Sequence, residues 1–244
     1  MTPLNSIKHS LRHRILNKAK FYLQYPKYHT DHGRSLPNFY TTINVNPNRI
    51  QYFVYPGFYT ETCVPRFEGG DWDKRAHNDD LPSCSTDEKR GICSIEEYEL
   101  YKSIRSRYVE KTDWKDTEYY SLAIQTIQEG GCWKRCNTEE ELLKYLSDLD
   151  EIYASIKQDG YKSAKDLGNH ISQEVTVSIG RNGEIFMDDG RHRLFMSKIL
   201  GIQEIPVWVL VRHKKWQKYR KSATQSQLEP PRDQFNHPDL GDIQ

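Results

Sequence analysis

The sequence predicts an α+β fold, a small mixed sheet covered by helices, and three stretches carry that expectation. Thr138 with Glu141 makes a capping box ahead of a broad apolar face: Leu142, Leu143, Leu146, Leu149, Ile152, Tyr153 and Ile156. Gly160 stands where the C-terminal cap of that helix belongs. "EVTVSIG" then alternates like a strand, "RNGE" holds an Asn-Gly hairpin signal, and "EIFMD" returns as the second strand. A short helix follows, with Phe195, Ile199 and Leu200 inward and Gly201 as its stop, and "EIPVWVLVR" is a nearly continuous buried strand.

The elements before this core form an N-terminal helical and strand extension. In "SIKHSLRHRILNKAKFYLQYPKY", Ile7, Leu11, Ile15, Leu16 and Ala19 recur at helical spacing within a strongly basic stretch. Such a helix either touches anionic lipid or RNA, or packs one stripe on the body, and the second is favoured. "NRIQYFVYPGFY" predicts a strand broken at Pro56-Gly57, and "FEGGDWDKRAHNDDLPSCSTDEKRG" an irregular loop. Ser94 with Glu97 predicts a capped helix to about Val109; Lys115 to about Gln128 predicts another, ended by Gly130-Gly131. The expected organisation is therefore a basic helix over 1–30, an N-terminal part over 31–137, a core over 138–221 and a mobile polar tail over 222–244.

The chain has 244 residues with 36% hydrophobic content, below the globular average, and 16 Tyr, 8 Phe and 5 Trp supply bulky burial. A net charge of +1 gives no general case for nucleic acid. No stretch reaches the ~18–20 apolar residues of a membrane span, and no signal-like apolar segment opens the chain, so a cytoplasmic protein is expected. Cys63, Cys84, Cys93, Cys132 and Cys136 are odd in number. "CWKRC" with Cys84 and Cys93 could complete a zinc quartet, but its spacing is unlike a zinc knuckle, and unpaired reduced thiols are favoured.

The most specific stretch is "FMDDGRHRLFMSKILG", residues 186–201, where Arg-His-Arg opens a helix. A helix start is already electropositive, so cations there call for a further anion. Backbone N–H groups at residues 190–193 point along the axis, Gly190 admits close approach, Arg193 can fork onto two phosphate oxygens and His192 can donate. The plainer alternative has Asp189 capping the helix and the arginines pairing with surface acids.

The run "LDEIYASIKQDGY…EVTVSIGRNGEIFMDDGRHRLFMSKILGIQEIPVWVLV" resembles the ParB/sulfiredoxin superfamily in order, spacing and its DG-x-HR motif, between about Leu142 and Arg212. The flanks "GGDWD", "WKDTEYY" and "RHKKWQ" look like those of poorly characterised archaeal and bacterial proteins with this core, a resemblance that does not point to any particular activity. The superfamily resemblance implies a nucleotide phosphate site at the helix after G-x-HR. Its members include sulfiredoxin, which uses ATP, a free-serine kinase using ADP, ParB proteins that bind and hydrolyse CTP, and relatives described as nucleases. Gly190, His192 and Arg193 match its phosphate-binding positions, and Arg191 stands where sulfiredoxin has its catalytic cysteine. That departure argues against sulfinic acid reduction. The absence of ParB's acid-and-arginine motif and of a downstream helix-turn-helix argues against DNA segregation.

The expected function is a nucleotide-dependent, kinase-type phosphotransferase using ATP or another nucleotide with Mg²⁺, and a small hydroxyl-bearing or sugar-like acceptor. Gly190, Arg191, His192 and Arg193 are its expected nucleotide-binding residues, and Asp188 the expected metal ligand. Asp189, Asp71 and Asp73 are the candidate catalytic acids, the last two if the "GGDWD" loop folds over the phosphate helix. A cap or salt bridge is the alternative for Asp188 and Asp189, and a turn anchored by Trp72 for the loop. Arg212 and His213 either extend the phosphate site or belong to a solvated basic helix, the latter being favoured for Lys214 and Lys215. The alternatives in function are a non-catalytic or slowly hydrolysing nucleotide switch, and a ParB-like nuclease, for which the composition offers no basic groove.

Overall fold

A mixed seven-stranded sheet organises the chain in this computed structural model, which describes residues 22–23, 25–55, 57–61, 64–74, 91–224 and 236–243. Its strands are β1 (Thr42–Val45), β2 (Tyr52–Tyr55), β3 (Arg66–Glu68), β4 (Gly91–Ser94), β5 (Val175–Ile179), β6 (Ile185–Asp189) and β7 (Ile205–His213). The helices are α1 (residues 25–32), α2 (Phe58–Glu61), α3 (Glu99–Arg105), α4 (Glu118–Gln128), α5 (Glu139–Asp159), α6 (Arg191–Ile199) and α7 (Lys214–Thr224). The strand order is β1-β7-β5-β6-β2-β4, with β3 also on β7. β7 is long enough for two partners on one edge: β1 pairs antiparallel with Ile205–Trp208, and β3 parallel with Val211–His213. Strands from residues 42–94 thus complete the same sheet as the core over 138–221, so the expected boundary at 137 does not separate two sheets.

Successive side chains along each strand point to opposite faces, so the central strands contribute to two cores. Ile185 and Met187 of β6, with Val207 and Val209 of β7, join the larger core under α3, α4, α5 and α6. Phe186, Trp208 and Leu210 face the other side, against Phe58 and Trp72. Both faces are covered, which is why β7 reads as an unbroken apolar run.

The local signals of the core hold. Thr138 Oγ1 accepts from Glu141 N–H (3.2 Å), and α5 ends at Gly160 with φ 78°. The "RNGE" turn joins β5 to β6, with Gly183 at φ 88°. The Ser94–Glu97 box does not form: Ser94 is the last residue of β4, paired with Tyr52, and α3 starts only at Glu99. Sheet pairing outweighs a cap worth about 1 kcal/mol. α3 runs into a π-helical turn, Ser106–Glu110, and Asp150 of α5 ties this region together by accepting from Arg107, Tyr108 and Trp114.

Three further expectations change. Most of the basic N-terminal helix lies outside the described residues; of its end, Tyr25 and Tyr28 pack on Phe39. Cys132 and Cys136 are free thiols, but Cys93 is disulfide-bonded, so the reading of all five as unpaired is corrected; Cys63 and Cys84 lie outside the described residues. Within the tail expected to be mobile, residues 236–243 pack onto the body. Asp239, 2% exposed, receives Arg212 (2.6 Å) and Trp216 Nε1 (2.9 Å). Its second cation is the buried Arg220, at 3.2 Å.

Candidate functional site

β6 ends at Asp189 and α6 begins at Arg191, so one residue turns strand into helix. That residue, Gly190, sits at φ 83° and ψ 25°, and a Cβ built on it would lie 2.8 Å from Val175 Cα. Both the left-handed backbone and the contact with β5 require glycine. No side chain caps α6, and its first turn holds no acid. Leu194 N–H donates to the Gly190 carbonyl (3.2 Å), so the N–H groups of Arg191, His192 and Arg193 precede the first intrahelical bond. The plainer alternative, Asp189 as the helix cap, is not realised.

The three motif side chains diverge. Arg191 Nη1 donates to Tyr98 Oη (2.7 Å), and its guanidinium lies 5.9 Å from that ring's centroid. His192 Nε2 shares a hydrogen bond of 2.8 Å with Tyr145 Oη of α5, and Tyr145 Oη lies 3.4 Å from Tyr119 Oη. Burial, then repulsion from Arg191 and Lys134, pushes the His192 pKa down to about 4, so the ring is neutral near pH 7. Burial, then Tyr119, pushes the Tyr145 hydroxyl up, which keeps it protonated and able to donate.

Arg193 turns away, toward the segment before β5. Its Nη2 donates to the Gln173 carbonyl, its Nη1 lies 3.6 Å from Glu174 Oε2, and its guanidinium lies 5.6 Å from the Tyr161 centroid. The Glu174 side chain is 2% exposed and also accepts from Ala164 N–H and from Tyr161 Oη (3.2 Å). Burial raises its carboxyl, while Ala164 N–H and Arg193 work against the rise. Arg193 is therefore already engaged, where a free fork toward phosphate was expected.

The acids separate as well. Asp188 is buried and accepts from Ser178 Oγ (2.9 Å) and Tyr59 N–H (2.7 Å), so it ties β5 and the start of α2 to β6. The Asp189 carboxylate, half-buried at the end of β6, makes no hydrogen bond or ion pair among the described residues. No group of three or more His, Cys, Asp or Glu residues suited to a metal occurs among the described residues. Asp71 and Asp73 lie at the other end of the hairpin, so "GGDWD" does not fold over α6. Asp73, its side chain 1% exposed, holds Arg181 at 2.5 Å and accepts from Arg181 N–H (2.7 Å), while Asp71 takes the same guanidinium at 2.8 Å. Burial works to raise the Asp73 carboxyl, but the Arg181 hydrogen bonds outweigh it and hold it below the usual carboxylate range. Arg212 belongs to the Asp239 cluster and not to the phosphate helix, while Lys214 and Lys215 are exposed as expected.

Tyr98, Tyr145 and Glu174, which the motif did not announce, contact its three side chains. The first two arrive from sequence separations of 93 and 47, beyond any local pattern. No family model, no curated protein and no solved structure matches this chain.

Proposed function

We propose that the start of α6 binds the phosphates of a nucleotide, and that the chain is a nucleotide-dependent phosphotransferase-like enzyme acting on a small hydroxyl-bearing or sugar-like acceptor. The observation that carries this reading is the uncapped helix start behind Gly190, with Arg191 beside it and no acid in the first turn. Backbone N–H groups aimed along a helix axis favour an anion, and an arginine adds charge-assisted hydrogen bonds. Asp189 flanks the same turn without a partner among the described residues, so it is the candidate base for the acceptor hydroxyl. Mg²⁺ commonly binds through one or two carboxylates plus substrate phosphates. Asp189 fits that pattern for an ion carried in with the nucleotide, where it would supply charge neutralisation; Asp188, held by Ser178 and Tyr59, fits it less well.

A second reading, a nucleotide-binding switch without transfer, draws on the Arg193–Glu174 and His192–Tyr145 contacts, since a ligand competing for those side chains would rearrange the segments they hold. Binding is common to both readings and is tested first. A ligand that binds only the folded state adds about 2.7 kcal/mol at a hundred times its dissociation constant. ATP, ADP, GTP, CTP or pyrophosphate at millimolar concentration is expected to raise the melting temperature by several degrees, with the parent nucleosides doing little. Equal protection by nucleoside and nucleotide would mean that the base dominates, and the phosphate reading would fail. Phosphorus NMR with candidate sugars and hydroxyl amino acids then separates transfer from binding alone.

A further inference from the structure

His192 ends a short line of hydroxyls that runs into the core. Its Nε2 lies 2.8 Å from Tyr145 Oη, and Tyr145 Oη lies 3.4 Å from Tyr119 Oη. Tyr119 belongs to α4, Tyr145 to α5 and His192 to α6, so three helices meet along this line. Tyr119 is 3% exposed, and its hydroxyl finds no acceptor other than Tyr145 among the described residues. The Trp133 ring beyond it stands edge-on at 5.4 Å, but an indole N–H can only donate and offers the Tyr119 proton nothing.

Protons can then be counted along the line. Burial raises both tyrosine hydroxyls, so each keeps its proton. If His192 Nε2 carried a proton as well, three protons would compete for two gaps. The one left over would be a buried donor without an acceptor, which bears its full desolvation penalty. With Nε2 bare, Tyr119 donates to Tyr145, Tyr145 donates to His192, and every proton is used. An imidazolium is protonated on both nitrogens and meets the same obstacle as a protonated Nε2. The lowered pKa of His192 agrees with this count. The remaining proton sits on Nδ1, which makes no hydrogen bond among the described residues and reaches solvent.

We propose that Tyr145, with Tyr119 behind it, fixes His192 as a neutral imidazole with its proton on Nδ1, a donor already set to meet a bound anion. The proton placement stands on the hydroxyl line; its use toward phosphate rests on the reading of α6 as a phosphate site. A free imidazole exchanges between two neutral tautomers and gains charge near pH 6.5, so its donor changes with both. His192 instead offers one N–H on a constant ring nitrogen and without charge. Tyr145 and Tyr119 are positioning residues here, acting on the ligand only through the histidine.

The test is nitrogen-15 NMR of the protein labelled in its histidine rings, with the His192 signals identified by their loss in His192→Gln. Near neutral pH the wild type is expected to show Nδ1 protonated and Nε2 bare. Tyr145→Phe removes the donor to Nε2, so both tautomers should become populated. Tyr119→Phe should keep the wild-type tautomer, because Tyr145 then has only His192 to donate to. With the competent tautomer cut to about half, pyrophosphate affinity in Tyr145→Phe should weaken about twofold by calorimetry. In the wild type, the Nδ1 signal should move as pyrophosphate is added. A protonated Nε2 in the wild type would overturn the proposal, whether or not either variant folds, and would leave the α6 reading intact. A Tyr145→Phe protein with the wild-type tautomer would overturn the role given to Tyr145. Pyrophosphate that binds without moving the Nδ1 signal would overturn the use of His192 as its donor. A wild type that does not bind pyrophosphate would overturn the α6 reading, and that use with it.

Discussion

At the turn end of the β5–β6 hairpin, Arg181 is enclosed by Asp71 and Asp73 at 2.8 and 2.5 Å, and each charge there has a partner. At the opposite end, Arg191 donates to Tyr98 Oη at the uncapped start of α6, and the Asp189 carboxylate makes no ion pair among the described residues. Both ends offered acids beside arginines in the sequence, "GGDWD" facing "RNGE" and "MDD" running into "GRHR". What separates them is satisfaction. A closed set of charges fastens a loop, whereas an acid without an ion pair beside an uncapped helix start leaves charge open to a ligand.

That contrast is broken or sharpened most strongly at Asp73. Asp73→Ala leaves Arg181 without its buried partner, and removing one member of such a pair costs about 3–5 kcal/mol. A large fall in the urea midpoint is expected, with pyrophosphate binding retained at the folded baseline. If stability holds and phosphoryl transfer disappears instead, "GGDWD" carries chemistry and the contrast collapses.

A smaller effect should appear with pH. His192 and His237 both fall from 6.5 to about 4 in the folded protein, chiefly through burial. The unfolded chain therefore takes up these protons first as pH falls. Their contribution is complete above about 6.5, declines toward pH 4 and is absent below it. A shift of this size corresponds to roughly 3 kcal/mol for each ring. Glu174, raised by burial, works in the opposite direction. Melting temperatures followed from pH 8 to pH 4 should fall, and His192→Gln should flatten part of the fall. An unchanged profile in that variant would remove His192 from the uncompensated end.

The smallest effect is expected at Tyr145. Tyr145→Phe deletes the hydroxyl that meets His192 Nε2 and should cost about 1 kcal/mol in stability, with a modest loss of nucleotide affinity. Chemical denaturation and titration of the one variant measure both. Full retention of both would mean that the tyrosine does not position the histidine.

The fold was legible where local chemistry and tertiary demand agree. Thr138 and Gly160 bound α5, Asn182-Gly183 turns the hairpin, and Gly190 starts α6 because its φ and its contact with Val175 both exclude a side chain. Ser94 misled because a capping signal is weaker than a strand partner, and Tyr52 supplied one. The tail misled because composition is blind to Asp239, a single carboxylate that reaches two buried arginines. At the candidate site, the motif picked out the strand-to-helix turn but not what each side chain contacts. Arg193 engages Glu174, whose burial no local pattern announces.

The sheet's connectivity also sets an order of assembly. β2 finds β6 through Tyr52 and Phe186, β1 finds β7 through Thr42 and Trp208, and β3 finds β7 through Arg66 and Val211. Each of these pairings spans more than half of the chain, while β5 and β6 are joined by a tight turn. Contacts so distant form slowly, because loop closure must come before any contact repays it. During synthesis, β1, β2 and β3 leave the ribosome long before their partners exist. Their open edges must wait for residues 185–213, and until those arrive the nascent chain is most exposed to mispairing with its neighbours.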